Sequence, residues 1–276
     1  MMWQRVWSIG LLPNLCLYVC MVAILAKCRK KMESEFFTIA LWNGVVDVLY
    51  IIVTRYLLGY LLLATFLYDL VRYSTLAATL ETMLEYALYY SQISFVFLTA
   101  INRLTAVCWP LHHKYWWYKG MKKAILTAWL WPMVYVFPML IPGAHSQFDD
   151  YLNTWFVQPT NTTKGERFYY GIYVIVDNII CIPALVVIYA AILVRLLIDQ
   201  QKKQEPSSTE STTRPKNDRN FAVIGGIISF CYIVMNVILL VTLFGGRPYL
   251  YNIYWLARDV FTLANPYLLL IFSKNL

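Results

Sequence analysis

The chain has 276 residues, of which 60% are apolar and only 14% charged, with a formal net charge of +8. Soluble domains average about 45–50% apolar and about 25% charged, so this composition excludes an ordinary water-soluble enzyme or binding module and points to a lipid solvent. The positive charge does not signal nucleic acid: no basic patch carries an RNA- or DNA-binding motif, and the lysines and arginines fall between apolar runs, where topology signals belong.

A bilayer core needs about 20 apolar residues per helix. Runs of that kind cover 3–26, 36–63, 82–109, 122–141, 169–196, 221–244 and 251–273. Each is expected to be a helix, because a membrane helix satisfies its own backbone polar groups and no barrel-like alternation is present. The first run is too long for a signal peptide and lacks a small-residue cleavage site, so it reads as a span. The expected fold is all-α, a seven-transmembrane helix bundle forming a single domain over 1–276. The stretch 200–220 is rich in Lys, Ser, Thr and Pro and is expected to be a flexible cytoplasmic loop. The six cysteines have no zinc spacing and lie in spans or at their inner ends, so no extracellular disulfide framework is expected.

Lysine and arginine set the orientation. With the N-terminus outside, sixteen of the 23 fall on the inner side, five on the outer side, and Arg55 and Arg258 within spans. That asymmetry predicts an extracellular N-terminus. Asn161-Thr162-Thr163 is an N-glycosylation acceptor in the loop that this topology places outside.

Ionisable and amide side chains inside spans are functional candidates by default. One group lies at middle to inner depth: Asn14 in the first span, Asp47 in the second and Asn265-Pro266 in the seventh. A buried carboxylate between amides holds a sodium ion or takes up a proton; the plain alternative is a hydrogen-bonded packing joint. Pro266 removes one helix hydrogen bond and permits a bend. A second group lies toward the outside. Glu85 precedes Arg103 by about 27 Å of helix, and Tyr86, Tyr89 and Tyr90 follow it. Asp177 and Asn178 come from the fifth span, and Tyr254, Trp255, Arg258 and Asp259 from the seventh. Carboxylate, guanidinium and rings at one depth make a small-ligand pocket; the plain alternative is that Glu85 pairs with Arg55 or Arg258 for mutual neutralisation.

The most specific segment follows the third span: Leu98-Thr99-Ala100-Ile101-Asn102-Arg103-Leu104-Thr105, then Pro110, then His112-His113-Lys114-Tyr115-Trp116-Trp117. With Asp47 and the Ala264–Ser273 run through Asn265-Pro266, it resembles the nematode serpentine chemoreceptors over nearly the whole chain, serpentine receptor class gamma first and class V second. The resemblance implies a G-protein-coupled chemosensory receptor of rhodopsin-like topology at the plasma membrane, sensory cilia included. Its implied partners are a heterotrimeric G protein, a small-molecule ligand and the lipid bilayer, with no cofactor and no nucleic acid. Asn102-Arg103 resembles the Asp-Arg-Tyr signature of rhodopsin-like receptors, whose Arg meets the G protein; here Asn replaces the acid. Pro110 matches the second-loop Pro, Asn14, Asp47 and Asn265-Pro266 the polar core, and Glu85 the ligand carboxylate of amine receptors. The sixth span departs from that pattern in having no Pro, and the outer end of the third has no Cys.

A transporter or channel of polar small molecules is the rival function; it would favour repeated halves, and none is evident in seven spans. An intramembrane enzyme would need clustered His, Asp or Ser at membrane depth, whereas His112, His113 and His145 are expected as surface residues and Asp149-Asp150 as a solvated loop.

Overall fold

The computed structural model describes residues 2–32, 35–54, 75–137, 144–149, 154–159, 179–204, 216–245 and 249–273. Among them are seven α-helices, one for each expected span: α1 (Met2–Met32), α2 (Glu35–Ile51), α3 (Thr75–Cys108), α4 (Pro110–Val136), α5 (Ile182–Gln204), α6 (Lys216–Gly245) and α7 (Tyr249–Ser273). Glu35–Thr54, Met83–Cys108, Ile179–Gln201 and Ala222–Val241 are each long and apolar enough to cross a membrane, and Leu12–Lys27 is a shorter apolar stretch.

The structure adds to the sequence reading in three places. The segment before the fourth span, expected as a loop, is helix from Pro110 onward. Pro is favoured at the first helical position because its missing N–H is an orphan there anyway, and Trp109 alone separates α3 from α4. Its N–H donates to Thr105 O (2.9 Å), while its own carbonyl accepts from His112 N (3.1 Å) and His113 N (2.9 Å). One residue thus ends one helix and starts the next. The expected loop 200–220 is shortened at both ends, because α5 runs to Gln204 and α6 starts at Lys216; residues 205–215 lie outside the described residues. The long outer loop, expected without strands, carries an antiparallel pair, β1 (Ala144–Asp149) and β2 (Thr154–Pro159), in register from Ala144↔Pro159 to Asp149↔Thr154. Asp149, expected in open loop, is therefore a strand residue, and the helical class stands with this one hairpin added.

Contacts divide the chain into two compact units. The first comprises Met1–Lys31, Leu41–Phe95 and Ile125–Val174. In it α1 lies close on α2 at Gly44, where an added Cβ would fall 2.8 Å from Val22 Cγ2. Small residues allow such approach, and packing rather than hydrophobic transfer is what joins helices in lipid. Trp129 of α4 sits edge-on to Trp42 of α2 and Phe95 of α3, with ring centroids 6.4 and 6.2 Å apart.

The second unit comprises Met32–Ala40, Val96–Ala124 and Ile175–Leu276. Val107 of α3, Ile192 of α5 and Ala222 of α6 form a buried cluster, with Leu104 and Tyr189 packed on it. Tyr189 lies across Gly225 of α6 so closely that a Cβ there would collide with its hydroxyl. On α6 and α7, Tyr232 meets Phe261 with ring centroids 5.9 Å apart.

Candidate functional site

Two polar centres stand out, one in each unit. In the first, Asp47 is 1% exposed. Its Oδ2 accepts from the Tyr18 hydroxyl and from Asn43 Nδ2 (3.4 Å), and its Oδ1 accepts from Gln92 Nε2 (2.7 Å). Helix periodicity explains the set. Asn43 is one turn before Asp47 on α2, and Tyr18 is one turn after Asn14 on α1, so both pairs share a face. Gln92 comes across from α3. Donors to an ionised acceptor form hydrogen bonds about twice as strong as neutral ones, and a buried charge in lipid demands such partners.

The sequence groups Asp47 with polar residues of the first and seventh spans, whereas its hydrogen-bond partners here come from α1, α2 and α3, and Tyr18 and Gln92 are not among the sequence candidates. Both are polar groups in spans, and Gln92 carried the same signal as the asparagines singled out. Asn14 is half-buried beside this centre on α1. Asn265 and Pro266 lie within the continuous helix α7, but their side chains fall outside the described residues. Three donors aimed at the carboxylate suit a hydrogen-bonded anion. A sodium ion at Asp47 would need the Asn43 and Gln92 amides to turn their oxygens inward.

The second centre is the α3–α4 joint. Asn102 is fully buried and Arg103 is 3% exposed. Arg103 folds back along α3 so that Nε (3.1 Å) and Nη2 both donate to Asn102 Oδ1. Phe36, from the first turn of α2, lies under the guanidinium with its ring centre 4.7 Å from Cζ, a cation–π contact. The neutral amide therefore holds the arginine by two hydrogen bonds.

One turn of helix away, Thr105 is a hub. Its hydroxyl lies 3.0 Å from both Ile101 O and Asn102 O, 2.9 Å from His113 Nδ1 and 2.9 Å from Trp117 Nε1. A hydroxyl has one proton and two lone pairs. With the proton directed at the α3 carbonyls, the lone pairs accept from Trp117 and from His113 Nδ1–H. His113 Nε2 lies 3.9 Å from Glu35 Oε2 on α2, an ion pair when the ring carries both protons. His113 and Trp117 are buried, whereas His112 is exposed. The expectation of two surface histidines is thus corrected for His113: the helical course of 110–117 puts positions 113 and 117 one turn apart on the inner face. Pro110 is exposed and starts α4.

Of the residues expected from the sequence to line an outer cavity, Glu85 is half-buried on α3. Tyr86 stacks on Tyr90 (6.5 Å between centroids) and Tyr89 tilts against Tyr90 (5.4 Å), so the tyrosines form a ladder. Tyr86 also packs on the Ala87–Val136 cluster. These belong to the first unit. Tyr254, Arg258 and Asp259 on α7 belong to the second, and all three are buried. Thr262 Oγ1 donates to Arg258 O (2.9 Å). Asp177, Asn178 and Asn161 lie outside the described residues.

Among the described residues, seven helices in chain order, four of them long and apolar enough for a bilayer, and a buried Asn-Arg pair at the end of the third are what a serpentine membrane receptor requires. The family model described as serpentine type 7TM GPCR chemoreceptor Srv matches residues 7–276, and the chain belongs to that family. The superfamily expected from the sequence is correct. Of its two classes, the second, class V, is the one whose model matches, in place of class gamma. No curated protein matches the chain.

Proposed function

We propose that this chemoreceptor binds a small molecule in an outer helix-bundle cavity and signals through a heterotrimeric G protein from the plasma membrane of a sensory cell. The observation that carries the reading is Arg103: a buried cation at the end of α3, held by neutral Asn102 and Phe36 at the helix joint. A cation released there can meet the carbonyls at the C-terminus of a partner helix, where the dipole is negative.

In this reading the N-terminus is outside, Asn161 is glycosylated, and the α3–α4 joint faces the cytosol. Glu85, Tyr86, Tyr89, Asp177, Asn178, Tyr254, Arg258 and Asp259 set the ligand preference. Asn14, Asp47, Asn265 and Pro266 form the relay, and Asn102, Arg103 and Pro110 the coupling end.

The test is Arg103→Ala, read by surface labelling and by ligand-driven nucleotide exchange on a co-expressed G protein. Normal surface level with exchange lost is the expected result. Normal surface level with full exchange would remove Arg103 from the mechanism. Transport of polar solutes is the weaker reading, since the family is one of receptors.

A further inference from the structure

The first four turns of α4 have two unlike faces. One carries His113 and Trp117, buried against the joint. At 3.6 residues per turn, Lys119, Lys122 and Lys123 lie about 100–160° round the helix from the centre of that face, and all three are exposed. Lys119 is held in place: its Nζ donates to Tyr115 Oη (2.9 Å) and sits 4.5 Å from the Tyr115 ring centre.

Position along the helix matters as much as direction. The apolar run of α4 starts at Ala124, directly after the lysines. At about 1.5 Å per residue, Lys122 and Lys123 lie within about 3 Å of that edge and Lys119 about 7.5 Å from it. The headgroup layer is about 5–7 Å deep on each side. The three ammonium groups therefore occupy the headgroup layer or its rim, on the face turned away from the joint.

We infer that Lys119, Lys122 and Lys123 form a binding site for an anionic lipid headgroup bearing more than one phosphate. Three cations within about 6 Å of helix rise exceed what a singly charged headgroup can engage, and a headgroup carrying several phosphates meets them together. Flexible lysine stems can bring their charges to the interface while lying along apolar surface. The inference rests on the membrane-spanning reading of α4, and on the proposed orientation only for which leaflet supplies the lipid; it does not depend on G-protein coupling.

The test uses the full-length receptor in phosphatidylcholine nanodiscs doped with a phosphatidylinositol bisphosphate or with phosphatidylserine, and counts retained lipid by native mass spectrometry. Near-surface charge predicts a loss of about fivefold in bisphosphate retention per lysine removed, so K119Q/K122Q/K123Q should retain little. The triple arginine variant should retain it, which separates charge from folding. Four results would overturn the site: equal retention by the glutamine variant, phosphatidylserine retained as well as the bisphosphate, soluble inositol trisphosphate bound as tightly as the lipid, or lipid retention unchanged while G-protein exchange in pure phosphatidylcholine is lost. The last would assign the lysines to protein docking. Loss of coupling in Arg103→Ala with headgroup retention intact is a separate result that bears only on coupling.

Discussion

Replacing Thr105 by valine keeps the shape of the side chain and deletes the hydroxyl at the centre of the joint. Trp117 Nε1–H then loses its acceptor and His113 Nδ1 its hydrogen-bond partner, each 2.9 Å from Thr105 Oγ1. A buried donor left without an acceptor costs about 1–3 kcal/mol, while hydrogen bonds measured in membrane interiors average about 0.6 and reach about 1.7 kcal/mol. The joint lies where α3 leaves the apolar layer, so an intermediate total of about 2 kcal/mol is expected for the pair. The Glu35–His113 contact adds little, because Glu35 is a quarter exposed and such pairs contribute about 0–1 kcal/mol. About 2 kcal/mol corresponds to about a thirtyfold change in a local opening equilibrium. Amide hydrogen exchange of the 104–118 peptide reads that opening directly. Thr105→Val should speed it by about that factor, and Thr105→Ser should not. Exchange unchanged in the valine variant would refute the hub, whatever the signalling result.

Asp47→Asn should destabilise the receptor by about 1–2 kcal/mol, because the amide serves fewer of the donors from Tyr18, Asn43 and Gln92 and without charge assistance; an unchanged melting temperature would count against the first polar centre. Gly225→Ala should destabilise α5–α6 packing by about 1–3 kcal/mol through overpacking, and Tyr189→Phe should restore part of the loss because the collision is with the tyrosine hydroxyl. An epitope at Asn161 should be labelled on intact cells and one near Lys203 only after permeabilisation; the reverse pattern would overturn the orientation.

The seven spans were legible because period and length are dictated by the bilayer, and Asp47, Asn102 and Arg103 were legible because lipid makes any buried polar group conspicuous. Their partners were harder to read. Tyr18, Phe36 and Trp117 are aromatic residues in an aromatic-rich chain, so nothing in composition separates the ring that covers Arg103 from its neighbours. Thr105 is ordinary in a span, since it can bond back to the carbonyls of its own helix; only the turn at Trp109, which folds α4 back, makes it a hub. The helical start of α4 was hidden because 110–121 is polar and basic. Pro110 suits a loop and a first helical position equally.

The joint also explains how an asparagine can hold Arg103 without an acid beside it. Asn102 Oδ1 takes both Nε and Nη2 of Arg103, so the near edge of the guanidinium is satisfied, and Phe36 covers its face. An ionised carboxylate would make the same hydrogen bonds about twice as strong. A neutral clamp therefore holds the arginine at a lower cost of release. The clamp is not isolated, however. Phe36 and Glu35 are adjacent at the start of α2; Phe36 touches Arg103, Glu35 faces His113, and His113 meets Thr105 two residues after Arg103. Any movement that frees Arg103 from Phe36 disturbs the first turn of α2, and through Glu35 and His113 the start of α4. In the proposed coupling role, a weak local hold embedded in this ring of contacts would make release of Arg103 an event of three helix ends together, which a lone stronger ion pair would not link.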